Sequence, residues 1–477
     1  MSGDLKGCRV VLLLKKKFGI PFSYKKGCHA VIDFEEESLG TIDTKGLSGL
    51  SHYEIVMKDD ATGQYFVPVL RIRTPVTGEY RDINLLTEPS PCILVGGIGG
   101  ENRSHYSLLS KLMKTQEDKT AATKPPYKIP SMAEIEALPK NGYDVASTFS
   151  GGGGSCFGYR MAGFNVVWAN EFVPIAQESY RRNHPSTILD CRDIKQVSAK
   201  DVLKAMGKDV GELDVFDGSP PCQAFSTAGA RSKNWGKDKE YAHGAKQKNE
   251  DLFFDYIRLL KGMQPKTFVA ENVSGLVKGV AKGYFLDILR QLKSSGYNVK
   301  VRVLDAKWLG VPQSRQRAIF LGVREDLGLD PIFPTPLPYF YTVKDALPWL
   351  GGAEQAGHPV EEETNIERFA IGKEYLNLRE GQQSDKYFSL IRVAVDKPSP
   401  CILASHGEGG IAQPLHPTEC RKFSIEEVKR ICSFPDDCHL AGSYAQQWAR
   451  LGNSVPPLMM LHVAKGIQQV LDVHNKR

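Results

Sequence analysis

The chain has 477 residues, of which 41% are hydrophobic and 24% charged, and a formal net charge of +6, so we expect a large buried core in two or three domains. Its ten cysteines are scattered without a Cys-x-x-Cys pair, which argues against a disulfide framework and a zinc site, and no metal is expected. The apolar run Val10–Leu14 is too short for a signal peptide or a membrane span. These features predict a soluble protein of a reducing, intracellular compartment with no membrane association.

Positive charge is concentrated in two parts of the chain. Residues 1–30 carry seven lysines and arginines against one acidic residue, and residues 231–248 carry six against two. Such clusters can neutralise phosphates and steer binding to nucleic acid. Either cluster alone is more typical of a solvated basic surface.

In chain order, residues 1–120 alternate short apolar runs with turn residues and predict a small, basic, β-rich unit, and residues 121–142 predict a linker. Over residues 143–326, strands alternate with amphipathic helices, which predicts an α/β domain with a Rossmann-like, doubly wound parallel sheet. That rhythm is lost over residues 327–423, and a last helix is predicted at Pro457–Val473. The strands predicted in the α/β domain are Asp144–Phe149, Asn165–Asn170, Asp214–Asp217, Thr267–Glu271, Asn298–Leu304 and Ala318–Val323. The helices predicted there are Ile175–Asn183, Leu252–Met263 and Tyr284–Leu292.

A glycine-rich turn, Ser150-Gly151-Gly152-Gly153-Gly154, follows the first of these strands and precedes a helix. Glycines let the backbone approach a ligand closely, and a helix N-terminus offers free N–H groups to an anion. The next strand ends at Glu171, where a carboxylate can accept both hydrogen bonds of a ribose diol. The turn alone occurs in folds of many chemistries, but the two features together predict a nucleoside cofactor.

Three further stretches predict a reaction centre. The turn Gly218-Ser219-Pro220-Pro221 presents Cys222 at the end of a strand, and it is followed by Glu271-Asn272-Val273 and then by Gln313-Ser314-Arg315-Gln316-Arg317. Each has a structural alternative: a buried cysteine, an ordinary strand exit and a surface salt-bridge patch. Their order and spacing favour a nucleophilic thiolate assisted by a carboxyl group and arginines, a set suited to addition to an electron-poor base ring.

These stretches resemble the DNA (cytosine-5)-methyltransferase family of prokaryotic type. Phe149–Gly154 is similar to the family's first block, Pro221–Ser226 to its cysteine block, and Gly452–Pro457 to its last block. The resemblance extends from about residue 143 to the C-terminus. It implies that residues 327–423 are the variable target-recognition region and that 424–477 return to the catalytic domain.

The resemblance implies S-adenosyl-L-methionine as the cofactor, with Glu171 binding the ribose and Phe172 stacking near the adenine. Asp193 would contact the adenine edge, although a helix cap before the stretch to Met206 is an equal alternative for this residue. The cofactor-binding residues implied in this way are Phe149, Ser150, Gly151, Gly153, Gly154, Glu171, Phe172, Asp193, Ile194, Pro221, Leu252, Asn453 and Val455.

The resemblance also implies a covalent mechanism. Cys222 would add to carbon 6 of cytosine, which makes carbon 5 nucleophilic, while Glu271 stabilises the charge that builds toward N3. Arg317, and Arg315 with it, would donate to the ring carbonyl oxygen. No residue of the sequence is identified as the base that removes the carbon-5 proton.

The implied substrate is double-stranded DNA, from which the target base is flipped. Ser226 and Arg231 lie where the family's active-site loop contacts DNA. We expect methylation of a short specific sequence by a monomer in the cytoplasm, associated with the nucleoid, either beside a cognate restriction endonuclease or as a solitary enzyme. A tRNA cytosine-5 methyltransferase is the alternative enzyme, but the chain lacks the Cys-Phe-Thr signature of that branch. A catalytically inactive DNA-binding regulator is disfavoured because Cys222, Glu271 and Arg317 are all present.

One short sequence occurs twice. Pro89–Leu94 and Pro398–Leu403 both read Pro-Ser-Pro-Cys-Ile-Leu, and each is followed by a glycine-rich patch. The repeat suggests that the N-terminal unit is related to part of the recognition region, although chance or a shared turn remain alternatives. The N-terminal unit of residues 1–120 has a basic start and is predicted to contact DNA. The alternatives for its role are a structural cap and a partner-binding module.

Overall fold

The computed structural model describes residues 124–221, 252–277, 282–351, 364–387, 390–407 and 414–476, together with nine short strands elsewhere in the chain. The chain divides into two units, Met1–Thr123 and Lys124–Arg477. None of the helices in the described residues is long and apolar enough to cross a membrane.

The strands of the first unit form two antiparallel sheets. One sheet has the order β2-β1-β7 and the other β3-β4-β5-β6, so the latter is a simple meander. The strands are β1 (Arg9–Leu14), β2 (Ala30–Asp33), β3 (Thr41–Asp43), β4 (His52–Val56), β5 (Val69–Arg73), β6 (Tyr80–Asn84) and β7 (Ile93–Leu94). The β-rich character that the alternating pattern predicted is therefore present in this unit.

The second unit is built on a seven-stranded sheet with the order β10-β9-β8-β11-β14-β16-β15. Its strands are β8 (Asp144–Thr148), β9 (Asn165–Asn170), β10 (Ile188–Asp190), β11 (Val215–Gly218), β14 (Thr267–Val273), β15 (Tyr297–Asp305) and β16 (Gln316–Arg324). The remaining strands form two-stranded pairs: β12 (Lys239–Glu240) with β13 (Lys246–Gln247), and β17 (Ile391–Arg392) with β18 (Pro414–Leu415).

Helices connect the strands and follow them toward the C-terminus. They are α1 (Met132–Glu136), α2 (Gly154–Met161), α3 (Pro174–Asn183), α4 (Ala199–Met206), α5 (Leu252–Met263), α6 (Lys282–Lys293), α7 (Val343–Ala346), α8 (Ala370–Asn377), α9 (Ile425–Ile431), α10 (Tyr444–Asn453) and α11 (Pro457–Asn475). The predicted helices at 252–263 and 457–473 correspond to α5 and α11.

The sheet is mixed, whereas the alternation of strands and helices predicted a parallel one. Strands β8, β9, β10, β11 and β14 are parallel, but β16 runs antiparallel to both β14 and β15. The connection from β15 to β16 is residues 306–315, which is too short for the crossover that parallel neighbours need. The two strands therefore pair as an antiparallel arm, and this arm places residues 313–317 beside the end of β14.

Both faces of the sheet are covered, as expected for a doubly wound fold. One face packs against α4, α5 and α6 through a buried cluster that includes Trp168, Phe216 and Phe268. The other face packs against α2 and α11 through a second cluster that includes Tyr159 and Met459. The central strands are largely apolar because both of their faces are covered, whereas the edge strand β15 exposes Lys300 and Arg302 in its middle.

The C-terminal helix returns to the first helix of the sheet domain at very short range. A Cβ atom built on Gly158 in α2 would lie 2.5 Å from Cβ of Met460 and 2.6 Å from the carbonyl oxygen of Pro457, both in α11. Only glycine permits this approach of the two helices. The contact brings residues 453–457, which precede α11 or begin it, to the start of α2.

Candidate active site

The glycine-rich turn has the backbone geometry of a ligand-binding loop. Phe149 and Gly151 both have φ of 55°, and Gly153 has φ of 87°, so the chain turns through the left-handed region three times. A Cβ atom on Gly153 would lie 2.1 Å from Nε2 of His184, so this position requires glycine for space as well as conformation. The N–H of Gly153 donates to the carbonyl of Ser150 at 2.8 Å, which closes the turn before α2 begins.

Glu171 follows β9 and holds the same turn from the side. Its Oε2 accepts a hydrogen bond from the N–H of Gly151 at 2.7 Å, and its Oε1 accepts one from the N–H of Val173, also at 2.7 Å. The side chain is buried, and burial raises its pKa against the lowering effect of these backbone donors. Each carboxylate oxygen keeps a further lone pair, so the group can still accept two hydroxyl hydrogen bonds.

The residues expected near a nucleobase are mostly apolar, and one of them is charged. Ile194 and Leu252 are buried in one cluster, and Phe149 packs against that cluster. Phe172 is half-buried directly after Glu171. Asp193 caps the short 3-10 helix Ile194–Gln196, since its side chain accepts from the N–H of Lys195 at 3.0 Å. The capping alternative for Asp193 is thus present, and its contact with an adenine stays a prediction.

The C-terminal motif reaches the glycine-rich turn although the two are distant in sequence. A Cβ atom on Gly154 would lie 2.3 Å from the carbonyl oxygen of Val455, so the two backbones are in contact there. Asn453 is the last residue of α10 and is exposed. The structure therefore brings the first and last blocks of the motif set together at one sheet edge.

The turn that leads to the cysteine begins at the neighbouring strand. Pro220 is buried, and its carbonyl oxygen accepts a hydrogen bond from Nδ2 of Asn272 at 3.0 Å. Pro221 follows and is half-buried, whereas Cys222, Ser226 and Arg231 lie outside the described residues. Asn272 was not assigned a role from the sequence, but it fixes the backbone two residues before Cys222.

Glu271 and Arg317 form an ion pair across β14 and β16. The register places Glu271 opposite Ile319 and Val273 opposite Arg317, so Glu271 and Arg317 are diagonal neighbours on one face. Nε of Arg317 lies 2.8 Å from Oε1 of Glu271, and only 7% of Glu271 is exposed. Burial and the positive charge of Arg315 lower the pKa of Arg317, while Glu271 opposes that shift.

Arg315 has a different environment from Arg317. Its Nη1 donates to the carbonyl of Ile402 at 2.9 Å and its Nη2 to the carbonyl of Gly452 at 2.7 Å, and only 1% of the residue is exposed. Its backbone N–H donates to Asp305. These partners give Arg315 a structural role, because they join the start of β16 to two segments distant in sequence. Its contact with a base carbonyl stays a prediction.

The second copy of the repeated hexapeptide forms part of this arrangement. The N–H of Ser314 donates to the carbonyl of Ser399 at 2.9 Å, and the N–H of Ile402 donates to Oε1 of Gln313 at 3.2 Å. Sγ of Cys401 lies 3.5 Å from Nη1 of Arg315. Residues 399–402 therefore hold the segment that leads into Arg317.

A buried carboxyl group lies beneath the site and was not predicted. Asp217, in β11, is 1% exposed, and its carboxylate accepts from Ser147 at 2.9 Å and from Tyr159 at 3.3 Å. Ser147 in turn accepts a hydrogen bond from Ser150, the first residue of the glycine-rich turn. Burial raises the pKa of Asp217 to about 7, with a further raising contribution from Glu271. Asp217 thus connects the turn after β8 with the strand that precedes the cysteine.

Within the described residues, no group of three or more His, Cys, Asp or Glu side chains could hold a metal ion. The functional groups that do converge are carboxylates, arginines and backbone N–H groups at the carboxyl ends of β8, β9, β11 and β14. This edge of an open α/β sheet is where ligands bind in such folds.

Comparison with known proteins gives the family of the chain. The family model of the C-5 cytosine-specific DNA methylases matches residues 143–469. The type II methyltransferase M.MthTI of Methanothermobacter thermautotrophicus is 31% identical over 349 residues, which cover 69% of this chain and 98% of that protein. M1.HphI of Haemophilus parahaemolyticus, also a type II methyltransferase, is 32% identical over 333 residues, covering 67% and 85%.

Among solved structures, a candidate DNA modification methyltransferase encoded within an E. coli prophage covers 69% of this chain and 99% of its own length. The TM-score is 0.55 and the identity 22%, so this likeness concerns the fold. The family match defines the class as a methyltransferase, and the chain belongs to the C-5 cytosine-specific DNA methylase family. It is a DNA (cytosine-5-)-methyltransferase of the prokaryotic type, similar to the enzymes of type II restriction–modification systems.

Proposed function

We propose that the enzyme transfers a methyl group from S-adenosyl-L-methionine to carbon 5 of cytosine within a specific duplex DNA sequence, through attack of Cys222 on a flipped base. The observation that carries this proposal is the ion pair between Glu271 and Arg317, held beside Asn272, which anchors the turn before Cys222. A carboxyl group, a guanidinium and a turn leading to a thiol at one sheet edge match the needs of that addition.

The described residues suit the proposed cofactor. Glu171 keeps lone pairs for two ribose hydroxyls, and Ile194 and Leu252 offer an apolar surface to a base. The turn at Gly151 and Gly153 leaves its backbone open to close approach. When bound, S-adenosylmethionine supplies the electrophilic methyl group.

The remaining chemistry is assigned to residues of the chain. The Cys222 thiolate adds to carbon 6, and the electron pair of the C5–C6 double bond becomes available for attack on the methyl group. Glu271 in its protonated form donates a proton at N3, where negative charge would otherwise build, and Arg317 pairs with the carboxylate that this donation leaves. After methylation, water takes the carbon-5 proton, which restores the double bond and expels the Cys222 thiolate, and N3 returns its proton to Glu271.

The proposed DNA contacts come from two parts of the chain. We assign Ser226 and Arg231 to the loop that contacts DNA, and residues 327–423 to recognition of the target sequence. A DNA substrate favours a cytoplasmic, nucleoid-associated enzyme acting as a monomer. A restriction endonuclease of the same target sequence is the proposed functional partner, as the type II relatives suggest.

Replacing the nucleophile tests the covalent mechanism directly. Cys222→Ser should reduce methylation by about 1000-fold or more, because the serine hydroxyl is a far weaker nucleophile at neutral pH, while S-adenosylmethionine and DNA still bind. Cys191→Ser, at a half-buried cysteine outside the residues assigned to the site, should leave turnover near the wild-type value. Methylation by Cys222→Ser at the wild-type rate would refute the proposed attack.

A further inference from the structure

Arg450 is a buried cation beside the glycine-rich turn that the mechanism does not use. It lies in the last turn of α10, is 8% exposed, and donates through Nη2 to the carbonyl of Ala441. Its Nε is buried and has no hydrogen-bond partner. An unsatisfied donor on a buried guanidinium is costly, so the group calls for an acceptor that the protein itself does not supply.

The carboxylates near Arg450 are already engaged. Glu171 and Glu178 act on it electrostatically, but it forms an ion pair with neither. Both oxygens of Glu171 accept backbone N–H groups, and Glu178 pairs with Arg182 at 3.2 Å. Burial lowers the pKa of Arg450 to about 10, which still leaves it protonated at neutral pH. Among the described residues, the guanidinium is therefore a buried positive charge without an anion in contact.

Arg450 lies directly against the turn. A Cβ atom built on Gly152 would be 3.8 Å from Cδ of Arg450 and 3.9 Å from its Cβ. Ser454, four residues later, donates to the carbonyl of Arg450 at 2.6 Å and lies beside Gly154, where α2 begins. The N-terminus of α2 adds a partial positive charge at the same place. The proposed ribose acceptor Glu171 binds the adjacent Gly151, so Glu171 and Arg450 lie against consecutive residues of the turn.

We propose that Arg450 binds the carboxylate of the methionine moiety of S-adenosylmethionine. This inference rests on the proposed function, since it takes that molecule as the ligand. The carboxylate is the only anionic group of the ligand, and a guanidinium with a free Nε beside a helix N-terminus is suited to bind it. Arg450 would thereby set the position of the methionine arm relative to the ribose held by Glu171.

The test compares two ligands on the full-length chain. Dissociation constants are measured for S-adenosylmethionine and for its decarboxylated analogue, with the wild type, Arg450→Gln, Arg450→Lys and the control Arg182→Gln. Arg182 is an exposed arginine of α3 that pairs with Glu178, so the control removes a nearby charge of the same kind. Thermal unfolding of each variant shows whether it is folded.

In the wild type and in Arg182→Gln, the carboxylate should improve affinity by about tenfold or more. In Arg450→Gln this preference should nearly vanish while the analogue binds as it does to the wild type, and Arg450→Lys should recover part of it. An unchanged preference in Arg450→Gln, or an equal loss for both ligands, would overturn the assignment of Arg450. Failure of the wild type to bind either ligand would instead overturn the proposed cofactor, and this inference with it. If Arg450→Gln does not fold, a full wild-type preference in a folded Arg450→Lys would overturn it, because an ammonium lacks the Nε donor.

Discussion

Glu271 and Asp217 are two buried carboxyl groups on neighbouring strands with different partners. Glu271 is paired with Arg317, whereas Asp217 accepts from Ser147 and Tyr159 and has no cation in contact among the described residues. The causes that act on the pKa of Asp217 are burial, the Glu271 carboxylate and hydroxyl donors. A carboxylate retained in such a place lowers stability, which is typical of groups kept for function.

Asp217 therefore gives a pH-dependent stability with a definite sign. Burial raises the pKa of Asp217 from 3.8 to about 7. Protonation of Asp217 therefore contributes its full stabilisation of the folded state below pH 3.8, and this stabilisation is lost as the pH rises to about 7. Asp217→Asn should remove this dependence. The free energy of unfolding of the variant should therefore rise relative to that of the wild type between pH 5 and pH 8. Urea unfolding at the two pH values measures this.

The matched control for this experiment is Asp326→Asn. Asp326 is exposed and its pKa is lowered, mainly by its hydrogen bond with Arg324, so its contribution is constant above pH 5. The control should differ from the wild type equally at pH 5 and pH 8. An equally constant difference for Asp217→Asn would show that Asp217 does not titrate in this range.

At the scale of elements, the antiparallel arm of β15 and β16 organises the catalytic face. It brings Arg317 into contact with Glu271 on β14, and its connecting segment receives residues 399–402. Arg315 fastens this junction by donating to the carbonyls of Ile402 and Gly452. The recognition region, the C-terminal motif and the catalytic strand pair are therefore joined through one guanidinium.

Arg315→Lys separates this structural role from a catalytic one. Lysine cannot reproduce two diverging hydrogen bonds in the same geometry, so the variant should lose about 2 kcal/mol of unfolding free energy. Urea unfolding provides the measurement, and Arg290→Lys, at an arginine whose side chain is 73% exposed, should show little change. Unchanged stability with lost turnover would instead favour the predicted contact of Arg315 with the base.

Residues of the site that belong to short contiguous patterns could be predicted from the sequence, whereas contacts between residues distant in sequence could not. Glu171 and Glu271 were predicted because each stands at or near a strand end in a short contiguous pattern, and their carboxyl groups lie at the expected sheet edge. The partners of Arg315, the hydrogen bond from Asn272 to Pro220, and the burial of Arg450 depend on residues distant in sequence. No local pattern encodes those contacts, so they emerge only from the folded chain.

The fold was predictable in outline for the same reason. Alternating strands and helices predicted the doubly wound sheet, and α5 begins and ends where the apolar periodicity does. The antiparallel arm was missed because a strand's direction is set by the length of its connection rather than by its own residues. Strand β10, Ile188–Asp190, was missed because three residues give no usable period.

At the scale of the whole molecule, the family match lies entirely within Lys124–Arg477. The first unit carries a strongly basic start, with seven lysines and arginines in residues 1–30. Its predicted role is an additional DNA contact, which stays a prediction together with its relation to the recognition region. The second copy of the repeated hexapeptide holds the segment around Arg315, and the last two residues of the first copy form β7.

A chain of residues 124–477 tests that role. It should bind S-adenosylmethionine like the full chain, because the residues proposed for the cofactor all lie within it, but it should bind DNA more weakly. The dependence of DNA affinity on salt concentration should also become shallower, since fewer phosphates are neutralised. DNA affinity and salt dependence equal to those of the full chain would show that residues 1–123 do not contact DNA.

The most direct measurement of the central claim is a map of methylation at base resolution. The purified chain is incubated with labelled S-adenosylmethionine and mixed genomic DNA, and the product is sequenced for 5-methylcytosine, with the Cys222→Ser variant as the control. We predict 5-methylcytosine at one short sequence with the wild type and none with the variant. Label in tRNA and none in DNA, or methylated bases other than 5-methylcytosine, would contradict the account.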